Sequence, residues 1–204
     1  MKQAKVISPI SQALVQMTPI YILKRQYETL DISTVDPECK SSDTWQREGA
    51  FYIKDGKVCL WARRYYPEID GDSFEFINHS YVKDKNHVYV FDDFDDEYGG
   101  MAKVLGADVQ TFEPIGHYTV YAKDKDYIYG CGRILTDADI NSFEIIDNGF
   151  AKDIYHVYRE SRIYSSQKVP NCSVGLIKSA KPETFNLRVY SEKNFQSDDD
   201  LLLY

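Results

Sequence analysis

Five carboxylates and three aromatic rings occupy eight consecutive residues, Phe91, Asp92, Asp93, Phe94, Asp95, Asp96, Glu97 and Tyr98. Three chemistries are open to such a stretch: calcium coordination, acid/base catalysis by a carboxylate pair, and recognition of a protein. An EF-hand loop needs glycine at its sixth position and glutamate at its twelfth. Counted from Asp93, those positions hold Tyr98 and Val104, so that motif fails. Carboxylate catalysis needs a partner base, an oxyanion donor or a phosphate loop, and none accompanies the stretch. Recognition has what it needs, because clustered negative charge steers a basic partner and rings among the charges supply anchors that desolvate on contact. The same residues also fit a solvated hairpin tip with no partner.

The other chemistry-bearing residues recur at fixed places. His87 and His156 each precede the Val of a Val-Tyr pair, where Tyr127 stands in a related stretch; His79 and His117 each follow a recurring Phe by five residues, where Asn148 stands in another. A residue type that returns at equivalent places is most simply architectural, and no His-Asp-Ser or Cys-His arrangement has local support. No catalytic residue, metal site or cofactor is expected, and the chain is not expected to be an enzyme.

The elements that position these residues are repeats. Tyr81-Val-Lys-Asp84-Lys-Asn-His-Val-Tyr89 returns as Tyr121-Ala-Lys-Asp124-Lys-Asp-Tyr-Ile-Tyr129, then as Phe150-Ala-Lys-Asp153 leading to His156-Val-Tyr158, and one residue shorter as Tyr52-Ile-Lys-Asp55-Gly-Lys-Val-Cys59. A second motif precedes or follows each: Asp70 to Glu75, Asp108 to Glu113 and Asp139 to Glu144 share Asp-x-x-Ser/Thr-Phe-Glu, with Pro182 to Asn186 as a weaker copy. β-Branched and aromatic residues flank every loop, and Asp55-Gly56 tolerates the positive φ of a type I′ turn. The recurring Asp55, Asp84, Asp124 and Asp153 fit Asx-type turns, and Glu75, Glu113 and Glu144 fit a strand position facing water or a cross-strand lysine. The expected fold is mainly β: tandem antiparallel β-hairpin repeats forming a sheet array or sandwich, with a non-repeat N-terminal segment. The chain reads as one domain, with a non-repeat segment at 1–47, three hairpin repeats over 48–164, and a degenerate last repeat with an acidic tail at 165–204.

The Lys-Asp-Lys-Asn-x-Val-Tyr core, preceded by Ser-Phe-Glu and repeated, resembles the DKNYY family of bacterial repeat proteins over roughly residues 50 to 190. The resemblance implies a repeat architecture and supplies no catalytic motif. It also implies export or lipid anchoring for many members, whereas this sequence lacks the cysteine-bearing lipoprotein signal.

Spacing shows where the repeat is interrupted. From the loop Asp to the next motif Phe is 19 residues for Asp55 to Phe74 and for Asp124 to Phe143, but 28 for Asp84 to Phe112 and 32 for Asp153 to Phe185. The first insertion holds the acidic-aromatic stretch. The second, around Ser165 to Leu176, reads as an irregular link. Within 1–47, alternation over Val15 to Leu23 suggests a strand interrupted at Pro19, and Leu14 to Leu30 also fits a proline-broken helix.

A formal net charge of −8 and a pI near 5.0 argue against nucleic acid or an anionic membrane as partner, since either requires a basic surface. No apolar run approaches the roughly 18 residues of a membrane helix. Pro9, Ser11, Gln12 and Gln16 break any signal-peptide core. Cys39, Cys59, Cys131 and Cys172 are widely spaced, with no Cys-x-x-Cys, and reduced thiols in a cytoplasm are the expectation. Cys59 stands at the Tyr position of the other copies and is expected to fill the core. The sequence therefore points to a cytoplasmic binding protein of the immunity type, neutralising a basic toxin domain such as a nuclease. Phe91, Asp92, Asp93, Phe94, Asp95, Asp96, Glu97 and Tyr98 would be its contact residues. The alternative is a structural or ligand-binding β-repeat scaffold of the bacterial envelope.

Overall fold

The computed structural model describes residues 27–29, 46–60, 64–91, 100–116, 118–147, 149–162, 172–187, 190 and 201–203. The acidic-aromatic residues 92–98, the helix-or-strand question over Val15 to Leu23, Cys39 and His117 lie outside them.

Strand β1 (Tyr27–Thr29) precedes the repeats. Unit 1 is a sheet of β2 (Gln46–Glu48), β3 (Phe51–Lys54), β4 (Lys57–Leu60) and β5 (Arg64–Tyr65). Unit 2 orders β6 (Glu75–Phe76), β7 (Tyr81–Lys83), β8 (Val88–Phe91) and β9 (Met101–Val104), with β1 added beyond β9. Unit 3 orders β10 (Glu113–Pro114), β11 (Tyr121–Lys123), β12 (Ile128–Gly130) and β13 (Arg133–Ile134). Unit 4 orders β14 (Glu144–Asp147), β15 (Phe150–Lys152), β16 (Val157–Arg162) and β17 (Cys172–Ile177), with β18 (Leu201–Leu203) beyond β17. Every pairing is antiparallel. The expected mainly β hairpin array is the fold. Four hairpins lie within residues 48–164, and among the described residues after 165, β17 and β18 join the fourth sheet.

The four sheets stack face to face, which explains why β8 is buried at all four positions, Val88-Tyr89-Val90-Phe91. Side chains alternate across a strand. Tyr89 and Phe91 join Val82 and Met101 in a core with Phe51, Val58 and Leu60 of unit 1, while Val88 and Val90 join Tyr81 and Ala102 in a core with Phe112, Ala122 and Tyr129 of unit 3. A third core holds Tyr121, Ile128 and Leu135 of unit 3 against Ala151, Tyr158 and Val174 of unit 4. Each fully buried Val, Leu, Ile or Phe contributes roughly 1.5–3 kcal/mol. The core residues lie between units, so interfaces carry the stability, as in other repeat proteins. On the far face of unit 4, Val157 and Ile177 are covered by Ala180, Phe185 and Tyr190.

Recurring rings set the stacking. Phe112 wedges between Tyr81 of unit 2 and Tyr129 of its own unit, with ring centroids at 5.2 and 5.3 Å; Phe143 does the same between Tyr121 and Tyr158, at 5.5 and 5.3 Å. The first tyrosine of each middle unit also reaches forward through its hydroxyl. Tyr81 donates to the Val120 carbonyl at 2.8 Å and accepts from the Gly132 N–H at 2.9 Å, and Tyr121 donates to the Gly149 carbonyl at 2.9 Å. Unit 4 carries Phe150 at this place, where among the described residues a hydroxyl would have no further sheet to reach. Tyr81→Phe keeps the ring and strands the Gly132 N–H at the unit 2–unit 3 interface, whereas the Val120 carbonyl keeps the Cys131 N–H at 3.0 Å. At roughly 1–3 kcal/mol for an unsatisfied buried group, we expect a loss of about 1–3 kcal/mol, read from the urea midpoint. An unchanged midpoint would show that the hydroxyl does not couple the units.

Unit 1 departs from the repeat in a defined way. Asp55 and Gly56 take φ of 51° and 74°, as a two-residue type I′ turn requires, and Lys54 pairs with Lys57. In unit 2 the flanking pair is Lys83 with Val88, leaving a four-residue loop. The shorter loop shifts β3 by one residue, which exchanges its two faces. Phe51, rather than Tyr52, therefore takes the inward place of Tyr81.

Candidate functional site

The recurring aspartates are built into the frame. In units 2, 3 and 4 one oxygen of the loop Asp closes an Asx turn: Asp84 Oδ1 accepts from Asn86 and His87 N–H at 2.7 Å each, Asp124 Oδ1 from Asp126 and Tyr127 at 2.8 Å each, and Asp153 Oδ1 from Tyr155 and His156 at 2.7 and 2.6 Å. The other oxygen turns inward. Asp84 Oδ2 accepts from the Tyr89 hydroxyl at 2.9 Å and the Asp70 N–H at 3.0 Å; Asp124 Oδ2 accepts from Tyr129 at 2.7 Å and Asp108 at 2.9 Å; Asp153 Oδ2 accepts from Tyr158 at 2.8 Å and Asp139 at 2.9 Å. All three carboxylates are buried and each accepts from four donors. In unit 1 both halves of the arrangement are missing together: Asp55 is exposed in its tight turn, and Cys59 stands where the tyrosine would be.

A second acid docks on each buried one. Asp70 Oδ1 accepts from Ser73 N–H and Oγ at 3.0 and 2.8 Å, and its Oδ2 lies 2.6 Å from Lys85 Nζ. Asp108 repeats this with Thr111, at 3.0 Å to both donors, and with Lys125 Nζ at 2.7 Å. The Glu of the same motif pairs across the strands as expected, Glu75 with Lys83, Glu113 with Lys123 and Glu144 with Lys152, at 3.4, 3.1 and 3.2 Å.

Both insertions extend the same turn of the repeat. In unit 3 that turn, between β12 and β13, is Cys131-Gly132, with φ of 51° and 76°. The first insertion occupies the β8–β9 turn and the second the β16–β17 turn, both at the end of the strands opposite the Asp loops. The base of the first is closed by the pair Phe91 with Met101. The base of the second is fixed by a disulfide from Cys172 to Cys131 of the neighbouring unit, Cα to Cα 5.9 Å, a separation ordinary for a disulfide. Cys59, buried as expected, is also disulfide-bonded. These bonds correct the expectation of reduced thiols. Cys131 and Cys172 are 41 residues apart, and only the stacking of units 3 and 4 brings them together.

The DKNYY family model matches residues 12–133 and again residues 51–204. The chain belongs to the DKNYY family. No curated protein and no solved structure matches it. The DKNYY signature thus acquires a physical meaning here: Asp is the buried four-fold acceptor, Lys the tip cation held by the preceding turn acid, Asn a backbone donor to the Asp, and the final Tyr the buried hydroxyl donor.

Among the predicted contact residues of this DKNYY protein, Phe91 is a core residue, 3% exposed, with its ring 4.8 Å from Phe51. It anchors the base of the insertion and does not present its ring at the surface. Asp92, Asp93, Phe94, Asp95, Asp96, Glu97 and Tyr98 lie outside the described residues. Of the histidines, His79 stacks on Tyr118 at 5.0 Å, His87 is exposed at its tip, and His156 Nδ1 lies 3.8 Å from Asp153 Oδ1.

The signature also sets a pH response. The Lys125 hydrogen bond, followed by those from Thr111, holds the Asp108 carboxyl at about 2, below its ordinary 3.8; the Lys85 and Ser73 bonds lower Asp70 in the same direction. For Asp124 and Asp153 burial pushes upward, but their backbone and tyrosine hydrogen bonds outweigh it and the net shift is down. Burial raises the Tyr89 and Tyr129 hydroxyls, which stay protonated as donors. A depressed carboxyl contributes stability that is complete above its unfolded value and is lost as pH falls through the folded one. Thermal midpoints should therefore be flat above about pH 5 and fall between about pH 4 and 2. A fall centred above about pH 5 would assign acid sensitivity to other groups.

Proposed function

We propose that this DKNYY protein is a non-catalytic protein-binding module that occludes a cationic partner, in the manner of an immunity protein covering a toxin domain such as a nuclease. Its contact loop is the insertion Asp92, Asp93, Phe94, Asp95, Asp96, Glu97 and Tyr98. The observation that carries this reading is that both insertions extend the same turn and leave one end of the stack from closed, fixed bases. Repeat proteins place their variable loops on one face and bind there. The repeat carboxylates Asp84, Asp124 and Asp153 are committed to the frame, which leaves the insertion as the acidic surface best suited to steering. Replacing Asp92, Asp93, Asp95, Asp96 and Glu97 by their amides should lower the association rate with the partner at least about tenfold at low salt, and the difference should shrink as salt screens it. An unchanged rate, measured by surface plasmon resonance, eliminates this loop as the site.

The envelope-scaffold reading draws support from one observation, the disulfide bonding of Cys131, Cys172 and Cys59. Disulfides persist mainly in oxidising compartments. Alkylation of thiols in intact cells before lysis separates the two readings: cysteines that take the label belong with a cytoplasmic immunity-type protein, and protected cysteines with an envelope one.

A further inference from the structure

The repeats act as internal controls for one another at the hairpin tips. In units 2 and 3 the residue after the buried Asp is a lysine, and its ammonium reaches the turn acid at 2.6 Å for Lys85 to Asp70 and 2.7 Å for Lys125 to Asp108. Unit 4 keeps every other member of this arrangement. The Asp139 N–H donates to Asp153 Oδ2 at 2.9 Å, Asp139 Oδ1 accepts from Ser142 N–H and Oγ at 2.9 and 2.6 Å, and Ser142 Oγ accepts the N–H of residue 154 at 3.2 Å. Residue 154 is nevertheless isoleucine, 59% exposed, and Tyr155 beside it is 64% exposed. Among the described residues no cation reaches Asp139. The neighbouring tip of unit 3 adds Tyr127, 45% exposed, and the exposed Asp126.

Lysine satisfies the frame at this position in two units, so the frame does not require isoleucine. A single exposed apolar side chain is ordinary. Here two adjoin a prebuilt carboxylate whose counter-charge the repeat supplies elsewhere, on two turns tied together and held by six hydrogen bonds to Asp139, Ser142 and Asp153.

We propose that the tip of unit 4 docks a protein segment that carries a lysine or arginine beside a large apolar side chain. The incoming cation pairs with Asp139 as Lys85 pairs with Asp70 and Lys125 with Asp108, and its apolar neighbour packs on Ile154 and Tyr155. The charge complementarity is the one the chain uses twice within itself. This inference rests on the reading of the chain as a binder of cationic protein and adds a contact at the other end of the strands from the 92–98 loop.

The test is to pan a phage-displayed random peptide library on the full chain at low salt, then measure a synthetic copy of the enriched peptide against three variants. Peptides pairing Lys or Arg with an aromatic or aliphatic neighbour should be enriched. Affinity should fall at least about tenfold in Ile154→Lys, which supplies the cation from within the chain, and in Asp139→Asn, and should be unchanged in the five-amide loop variant. Ile154→Lys installs the residue that units 2 and 3 already carry, and its unfolding midpoint should match the parent. Equal affinity for Ile154→Lys, or enrichment of peptides without a cation, overturns the tip site. Loss only in the loop variant overturns it and leaves the insertion as the site, whereas enrichment of nothing overturns both readings. A chain dimer that dissociates in Ile154→Lys makes a second copy the occupant and likewise overturns the proposal.

Discussion

Replacing Asp124 by alanine should cost the protein roughly 3–5 kcal/mol, about 10 °C in thermal midpoint for a chain of this size. The carboxylate accepts from the Asp126 and Tyr127 N–H groups, the Asp108 N–H and the Tyr129 hydroxyl. The first two donors sit at an exposed tip, where water replaces the lost acceptor at little cost. The Tyr129 hydroxyl is buried, and the Asp108 N–H anchors the turn that carries Phe112 into the unit 2–unit 3 core, so these two account for most of the loss. Asp55→Ala provides the contrast. Asp55 is exposed and belongs to the unit that lacks the tyrosine, so its replacement should cost only the roughly 1–2 kcal/mol that alanine incurs at the positive φ of 51°. Equal effects at the two positions, read from urea midpoints, would show that the recurring aspartate is not a frame element.

The second large effect is expected at Gly132. Its φ of 76° is a conformation that costs an L-residue about 1–2 kcal/mol, and an added Cβ would meet Val90 Cγ1 at 2.5 Å and Val90 Cβ at 2.9 Å across the interface with unit 2. Overpacking of this kind typically adds about 1–3 kcal/mol, so Gly132→Ala should cost about 2–5 kcal/mol. A double-mutant cycle separates the two causes. If the overlap with Val90 matters, Val90→Ala will recover part of the loss in the Gly132→Ala background. A cost that is the same in the parent and in the Val90→Ala background assigns the whole effect to the backbone.

Most of what was legible in the sequence was local. The Asp55-Gly56 turn, the Asx closure by Asp84, Asp124 and Asp153, and the Glu-to-Lys pairs depend on residues within one hairpin, so spacing and residue type were enough to place them. What could not be read depends on stacking. The inward oxygen of each buried Asp is held by an N–H 14 to 16 residues earlier in the chain; the Tyr81 and Tyr121 hydroxyls reach the next unit; and the Cys131–Cys172 bond joins two sheets. None of these leaves a short-range pattern. The one-residue shift of β3 escaped for a different reason, because aligning the Lys-Asp letters of unit 1 hides the shorter loop that moves Phe51 inward. The candidate site was legible as a concentration of charge and rings, and its common location with the second insertion follows only from the strand order. Phe91 illustrates the boundary: counted with the loop by composition, it belongs to the core because it is the last residue of β8 and pairs with Met101.

The most direct test of the functional account is affinity purification of the tagged chain from its host cells at low salt, with mass spectrometry of fractions released as salt rises. The account predicts a stoichiometric basic protein that leaves as salt rises and is not retained by the five-amide variant of Asp92, Asp93, Asp95, Asp96 and Glu97. A chain that returns alone at every salt concentration, or a partner retained equally by that variant, would contradict it.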